Sequence, residues 1–277
     1  MGKNKQQIRD SGLNYKKGLG QNFIYDEALL ASLVECAGVT KKDNVLEIGP
    51  GAGTLTKMLC QAANKVLALE IDDRLIPLLK GYLSGFDNVD IVQGDVLDCH
   101  LPELTKPLGE GFLVVANIPY YITTPLITLL LDSGLNIKRI AVMVQAEVAE
   151  KILAEPGTDE YGMLAVKCQY YSEPRIAMAV QKESFTPVPK VDSAFVVMEK
   201  RDTPPVNADE KLFFKTARAA FLMRRKTMAN NLSTALGMSR EKALEALKMA
   251  NLDEKVRGEK LSLEEFAALS NAIGALQ

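Results

Sequence analysis

Val45-Leu46-Glu47-Ile48-Gly49-Pro50-Gly51-Ala52-Gly53-Thr54-Leu55-Thr56 carries an apolar run into three alternate glycines and then into a helix-forming segment. A buried strand, a glycine loop and a helix in that order open a nucleotide-type α/β crevice. The spacing is G-x-G-x-G. Thr54 stands where a dinucleotide fingerprint needs its last glycine, and no Gly-Lys-Ser/Thr follows to make a P-loop. Glycines here let the backbone approach a ligand with no Cβ in the way. A sulfonium amino acid with an adenosine tail needs that approach and no phosphate cradle, so the loop suits S-adenosylmethionine better than NAD.

Working outward, Lys65-Val66-Leu67-Ala68-Leu69 ends in Glu70, roughly the 20 residues past the first glycine at which a carboxylate grips ribose hydroxyls. Val89-Asp90-Ile91-Val92-Gln93 runs into Gly94-Asp95, where a carboxylate can accept from an adenine amino group. Either acid alone is more often a solvated surface group. Both stand at the carboxyl ends of successive strands beside the glycine loop, which favours the ligand role.

Phe112-Leu113-Val114-Val115-Ala116 then leads into Asn117-Ile118-Pro119-Tyr120. Asn and Pro also make ordinary strand-to-helix turns. The set nonetheless has what methylation of an exocyclic base amine requires. The lone pair of such an amine is delocalised into its ring, and it attacks well only if acceptors hold its N–H groups and turn the nitrogen toward a tetrahedral geometry. Asn117 Oδ1 and the Ile118 carbonyl are two such acceptors. Pro119 stiffens the turn and biases Ile118 toward extended backbone, and Tyr120 offers a ring on which a flipped base can stack.

Composition narrows the chemistry. The chain has 277 residues, 47% hydrophobic and 25% charged, enough for a full core and a smaller second unit. No apolar stretch approaches the roughly 20 residues that span a bilayer, and the polar start Met1–Gln7 has no signal-peptide core. Cytoplasm and no membrane partner are therefore expected, as a monomer. Cys36, Cys60, Cys99 and Cys168 form no C-x-x-C pair, so neither a disulfide framework nor a zinc site is indicated. His100 is the single histidine. It cannot share a metal or relay a proton with a second one, which disfavours His-based hydrolysis and multi-His metal centres. No metal is expected. Methyl transfer from a sulfonium needs only alignment of donor, acceptor and leaving group.

A net charge of −2 suits a nucleic-acid binder poorly as a sum. Its distribution suits one better. Lys3, Lys5, Arg9, Lys16 and Lys17 cluster at the start, and Lys211, Lys215, Arg218, Arg224, Arg225 and Lys226 cluster later. Lys211, Lys215 and Arg218 share one helix face opposite Leu212, Ala219 and Ala220. That face is either an ordinary solvated one or an RNA-facing edge.

Strands near 44–48, 65–70, 89–93, 112–116 and 138–144 alternate with helical segments, the α/β pattern. Asp26 to Gly38 reads as a helix with an Asp N-cap and a Gly C-cap. Two further strands, Pro174–Val180 and Asp192–Met198, flank the proline-rich loop Phe185–Val191. Such a loop belongs over the crevice, with Phe185 either stacking on an extruded base or plugging the core; stacking is favoured because Pro187 and Pro189 hold the loop outward. Arg201–Asn207 reads as a boundary, and beyond it the segments are helical, with capping signals at Ser239 and Ser262. The expectation is a methyltransferase catalytic domain at 1–203 and a helical RNA-binding domain at 204–277.

Gly20-Gln21-Asn22-Phe23, Leu46–Gly51, Asn117–Tyr121, Met143-Val144-Gln145, Phe185–Ser193, Arg225-Lys226-Thr227 and Asn230-Asn231-Leu232 together resemble the ribosomal RNA adenine dimethyltransferases, most closely the small-subunit group, over nearly the whole chain. The resemblance implies a class I S-adenosylmethionine-dependent methyltransferase fold, Rossmann-like with a mostly parallel seven-stranded sheet and a small all-helical C-terminal domain. It implies a cofactor shell of Asn22, Ile24, Gly49, Glu70, Asp95 and Asn117, with Gly51 in the loop and Tyr120 and Phe185 near the target adenine. The implied reaction gives dimethyladenosines at two adjacent adenines of 16S rRNA in the immature small subunit. The related large-subunit resistance methyltransferases and a non-catalytic assembly checkpoint are the other readings; Phe185–Ser193 and the tail argue against the former.

Overall fold

The structure, a computed structural model, describes residues 22–276. The early basic cluster from Lys3 to Lys17, and Gly20 and Gln21, lie outside the described residues.

Seven strands make the main sheet: β2 (Asn44–Ile48), β3 (Lys65–Glu70), β4 (Val89–Gln93), β5 (Phe112–Asn117), β6 (Ile137–Gln145), β7 (Ser172–Val180) and β9 (Ser193–Lys200), in the order β4-β3-β2-β5-β6-β9-β7. β2, β3, β4, β5 and β6 pair in parallel and β9 pairs antiparallel with β6. This is the expected mostly parallel sheet. Central strands buried on both faces read as continuous apolar runs, as β5 does. A two-stranded sheet is separate: β1 (Phe23–Ile24) runs antiparallel to β8 (Phe185–Thr186), with Ile24 opposite Phe185.

Local chemistry sets the helix ends. α1 (Glu27–Cys36) starts at Asp26, whose carboxylate accepts from the Ala28 and Leu29 amides. α2 (Thr54–Ala62) starts at Gly53, in the left-handed region at φ 77°. α3 (Ile76–Tyr82), α4 (Leu101–Thr105) and α5 (Thr123–Asp132) complete the β/α alternation. His100 is the N-cap residue of α4. Among the described residues no helix is long and apolar enough to cross a membrane.

The described chain divides into two compact units. One holds the residues through Ala149 together with Pro174–Lys200; the other holds Glu150–Glu173 and the chain from Arg201 on. The first unit's core joins α1 and α2 to one face of the sheet, through Leu30, Leu33, Leu59, Val45, Val115 and Phe195.

The second unit contains α7 (Met163–Tyr171), α8 (Glu210–Leu222), α9 (Met228–Leu236), α10 (Arg240–Met249) and α11 (Leu263–Ala275); α6 (Ala146–Leu153) begins in the first unit and ends here. Sequence reading put a single boundary at 203–204 and kept 150–173 with the sheet. The contacts group that segment with the later helices because its aromatic residues pack among theirs. Tyr170 lies 4.7 Å from Phe213 and 4.8 Å from Phe214, ring centre to ring centre. Tyr161 meets Phe221 at 5.7 Å, and its hydroxyl donates to the Leu261 carbonyl. Asn231, wholly buried, donates to the Ala220 and Met223 carbonyls and ties α9 to the end of α8. Ser262 opens α11 with a full capping box.

A Cβ at Gly258 would stand 2.6 Å from the Ala220 Cα and carbonyl oxygen, both backbone atoms that cannot swing away. Gly258→Ala should therefore lower Tm by several degrees, consistent with about 1–3 kcal/mol for overpacking; an unchanged melting curve would show that α8 yields freely. Glu47 is 1% exposed in the middle of β2. Burial, and secondarily the charge of Glu70, push its carboxyl up to about 8 against an opposing effect of the Thr56 hydroxyl. The unfolded carboxyl ionises near 4.5 and the folded one near 8, so between those values the native state binds more protons and stability falls as pH rises. Glu47→Gln, a neutral mimic, should gain Tm relative to the parent on going from about pH 5 to about pH 8. A pH-independent difference would contradict a protonated Glu47.

Candidate active site

A cleft of about 1160 Å³, its open mouth included, lies at the carboxyl ends of β2, β3, β4 and β5. It is lined by Asn22, Phe23 and Ile24, by the loop Ile48–Gly51, by Glu70 and Ile71, by Gly94–Leu97 and by Asn117–Ile122. Parallel strands end together, so residues far apart in sequence share one rim.

The glycine loop needs its glycines. Gly49 and Gly51 have φ of 72° and 55°, where L side chains are strained. A Cβ on Gly51 would strike the Phe23 ring, whereas one on Gly49 would meet nothing within 4 Å. The Gly49 backbone is thus open to a close-lying ligand. Glu70, 3% exposed, braces the loop: Oε2 accepts from the Gly51 amide at 2.9 Å and Oε1 from the Asp72 amide at 2.8 Å. Burial raises its carboxyl pKa, while those two amides work in the opposite direction. Asp95 Oδ1 accepts from the Leu97 amide at 2.9 Å and holds its own turn. Ile71 and Leu97, 44% and 39% exposed, line the same cleft. Sequence reading did not name them; the signal was an apolar residue one or two places after each strand-end acid. Together the bare loop, the two carboxylates and the apolar pair fit an S-adenosyl cofactor.

Asn117 ends β5. Its Nδ2 donates to the Asn22 carbonyl at 3.0 Å. That bond assigns the amide's orientation and leaves Oδ1 as the acceptor of a side chain that lines the cleft. The Ile24 carbonyl in turn accepts from Thr54 Oγ1 at 2.8 Å, so β1 and the residue before it are tied to both the turn after β5 and α2. Pro119 and Tyr120 follow Ile118 along the same wall. Burial raises the Tyr120 phenol pKa, partly offset by its contact with Ser193. Tyr121, 58% exposed, lies at the cleft wall beside it.

Phe185 departs from the expected stacking position. It is 1% exposed and packs in the core of the first unit with Ile24, Leu30, Leu33 and Phe195, and it does not line the cleft. Of its two expected roles the structure gives it core plugging. Pairing of β8 with β1 turns the ring inward with Ile24, the opposite residue, and this long-range pairing outweighs the outward bias of the prolines.

The later basic residues sit in the second unit. Lys211, Lys215 and Arg218 are exposed on one face of α8, opposite the buried Phe213, Ala217 and Ala220. Leu222, 56% exposed, continues that face. Arg224 is committed elsewhere: Nη2 donates to the Asp159 carbonyl at 2.7 Å and contacts the Tyr161 carbonyl at 3.3 Å. Arg225 and Lys226 are exposed.

Comparison with known proteins agrees with this geometry. Residues 12–274 match the family described as Ribosomal RNA adenine dimethylase. The chain is 46% identical to the Ribosomal RNA small subunit methyltransferase A of Streptococcus sanguinis over 95% of its own length and 93% of the relative's. Among solved structures it is similar to a dimethyladenosine transferase from Plasmodium falciparum, with TM-score 0.75, 26% identity and coverage of 89% and 95% of the two chains. It is also similar to the 23S rRNA methyltransferase ErmE, with TM-score 0.71, 27% identity and coverage of 91% and 99%. The chain belongs to the ribosomal RNA adenine dimethylase family.

Proposed function

We propose that the protein transfers methyl groups from S-adenosylmethionine to N6 of two adjacent adenosines near the 3′ end of 16S rRNA, in the immature small subunit, as a cytoplasmic monomer. The observation that carries this reading is the Asn117 amide, locked by the Asn22 carbonyl with Oδ1 left as an acceptor. Bound in the cleft, S-adenosylmethionine supplies a methyl group on a positively charged sulfur whose departure neutralises that charge. The protein's own work is alignment. Gly49 offers its bare backbone to the cofactor, Glu70 faces the ribose hydroxyls, Asp95 accepts from the adenine amino group, and Ile71 and Leu97 flank the adenine ring. Asn22 and Ile24 close the side of the cleft.

On the acceptor side, Asn117 Oδ1 and the Ile118 carbonyl take the two N6–H groups of a flipped adenine and turn its lone pair toward the donor. The same oxygens stabilise the positive charge that develops on N6. Tyr120 stacks on the base, and Pro119 holds the turn. The surplus proton leaves to water, so no histidine is required. Phe185 serves from below, by holding β8 against β1. In the second unit, Lys211, Lys215, Arg218, Arg225 and Lys226 are the phosphate-facing cations, while Arg224 holds the turn that presents the last two.

Incubation of the protein with labelled S-adenosylmethionine and unmethylated small subunits should place dimethyladenosine in 16S RNA. Label in 23S RNA would favour the large-subunit reading, and bound cofactor with no transfer the assembly-checkpoint reading. Asn117→Ala should lower methylation by about a hundredfold or more and leave RNA affinity nearly unchanged; equal loss of both would sink the acceptor role. The triple replacement of Lys211, Lys215 and Arg218 by Ala should reduce the slope of log affinity against log salt by roughly two to three. An unaltered slope would make α8 an ordinary solvated helix.

A further inference from the structure

We propose that Ser193 is a positioning residue for the second methyl transfer to each adenine, acting through the ring of Tyr120. The inference rests on the reaction proposed above. Tyr120 begins the 3-10 turn Tyr120–Ile122, which has no buried residue, and its hydroxyl reaches a buried partner on another element. Tyr120 Oη lies 2.7 Å from Ser193 Oγ, across 73 residues of sequence. Ser193 is 2% exposed and opens β9, where it pairs with Gln145 of β6. Its neighbour Asp192 is pinned twice: its carbonyl accepts from the Ala146 amide at 3.0 Å, and its Oδ1 from the Lys182 amide at 2.9 Å. Neither hydroxyl has another hydrogen-bond partner among the described residues. One bond therefore ties the stacking ring to the antiparallel part of the sheet.

The two transfers depend on this bond unequally. In each, the N6 lone pair forms the N–CH₃ bond as the C–S bond breaks, its electron pair stays on sulfur, and a proton passes from N6 to water. Unmethylated N6 has two N–H groups for Asn117 Oδ1 and the Ile118 carbonyl. After the first transfer one N–H is gone and one acceptor loses its donor. The base is then held by one hydrogen bond and by its stack on Tyr120, so the fixed plane of that ring carries more of the orientation.

The test uses the full chain and unmethylated small subunits in single-turnover reactions, with N6-methyladenosine and dimethyladenosine counted separately. Ser193→Ala and Tyr120→Phe, which remove the same bond from either side, should each slow the second transfer about tenfold and the first by less than about threefold, so that monomethyl product accumulates. Calorimetric affinity for S-adenosylmethionine should be unchanged, Ser193→Thr should restore the parental product ratio, and the double variant should be no worse than either single one. A parental ratio in Ser193→Ala, additive losses in the double variant, or equal slowing of both steps with weakened cofactor binding would each overturn the proposal. If Ser193→Ala does not fold, Tyr120→Phe decides alone, and a parental ratio there overturns it. Failure of the parent protein to make dimethyladenosine would instead overturn the reaction itself, and the positioning role with it.

Discussion

Glu70 joins two pieces of backbone that would otherwise be independent. One carboxylate oxygen holds the Gly51 amide at the end of β2, and the other holds the Asp72 amide just beyond β3. Both bonds form in a nearly buried site where a charge to an amide is worth more than in water. The glycine loop has left-handed backbone at Gly49, Gly51 and Gly53 and almost no side chain to pin it. With the carboxylate in place, the loop can be open on its ligand side and still have one shape. Burial pushes the carboxyl of the neighbouring Glu47 up to about 8, which disfavours a second charge in the same region.

The other wall of the cleft is fixed by long-range tethers. Asn117 is oriented from Asn22, Ile24 is held by Thr54, and Tyr120 is held by Ser193. The first two of these converge on the miniature sheet of β1 and β8. It brings a segment from before the glycine loop against one from beyond β7, and its apolar underside, Ile24 and Phe185, is anchored in the core. In the proposed reaction the acceptor pair must be rigid, because misplacement of the reacting atoms by about 1 Å is costly in rate. The tethers supply that rigidity to a wall made mainly of turns.

Charge is distributed unevenly along the chain. A chain with a net charge of −2 still presents a helix face bearing Lys211, Lys215 and Arg218, with no ion pair to any of them among the described residues. Unpaired cations remain available to phosphates, whereas the net value governs solubility more than local binding. Arg224 belongs to the same run but spends its donors on the Asp159 and Tyr161 carbonyls, so position in a basic run does not by itself make a phosphate contact.

The sequence by itself determined the strand-loop-helix opening, the order of the strands along the chain, the strand-end groups Glu70, Asp95 and Asn117, and the caps at Asp26, Ser239 and Ser262. These features have local causes: continuous apolar runs, glycines that permit positive φ, and side chains that bond amides two or three residues away. Tertiary structure decided the rest. It sent Phe185 into the core, grouped 150–173 with the later helices through Tyr161 and Tyr170, used Arg224 for backbone carbonyls, and gave Tyr120 its anchor in Ser193. Each of these depends on which distant segments meet, and no local pattern of apolar or polar residues encodes that; only the closing of the sheet and the packing of the aromatic core settle it.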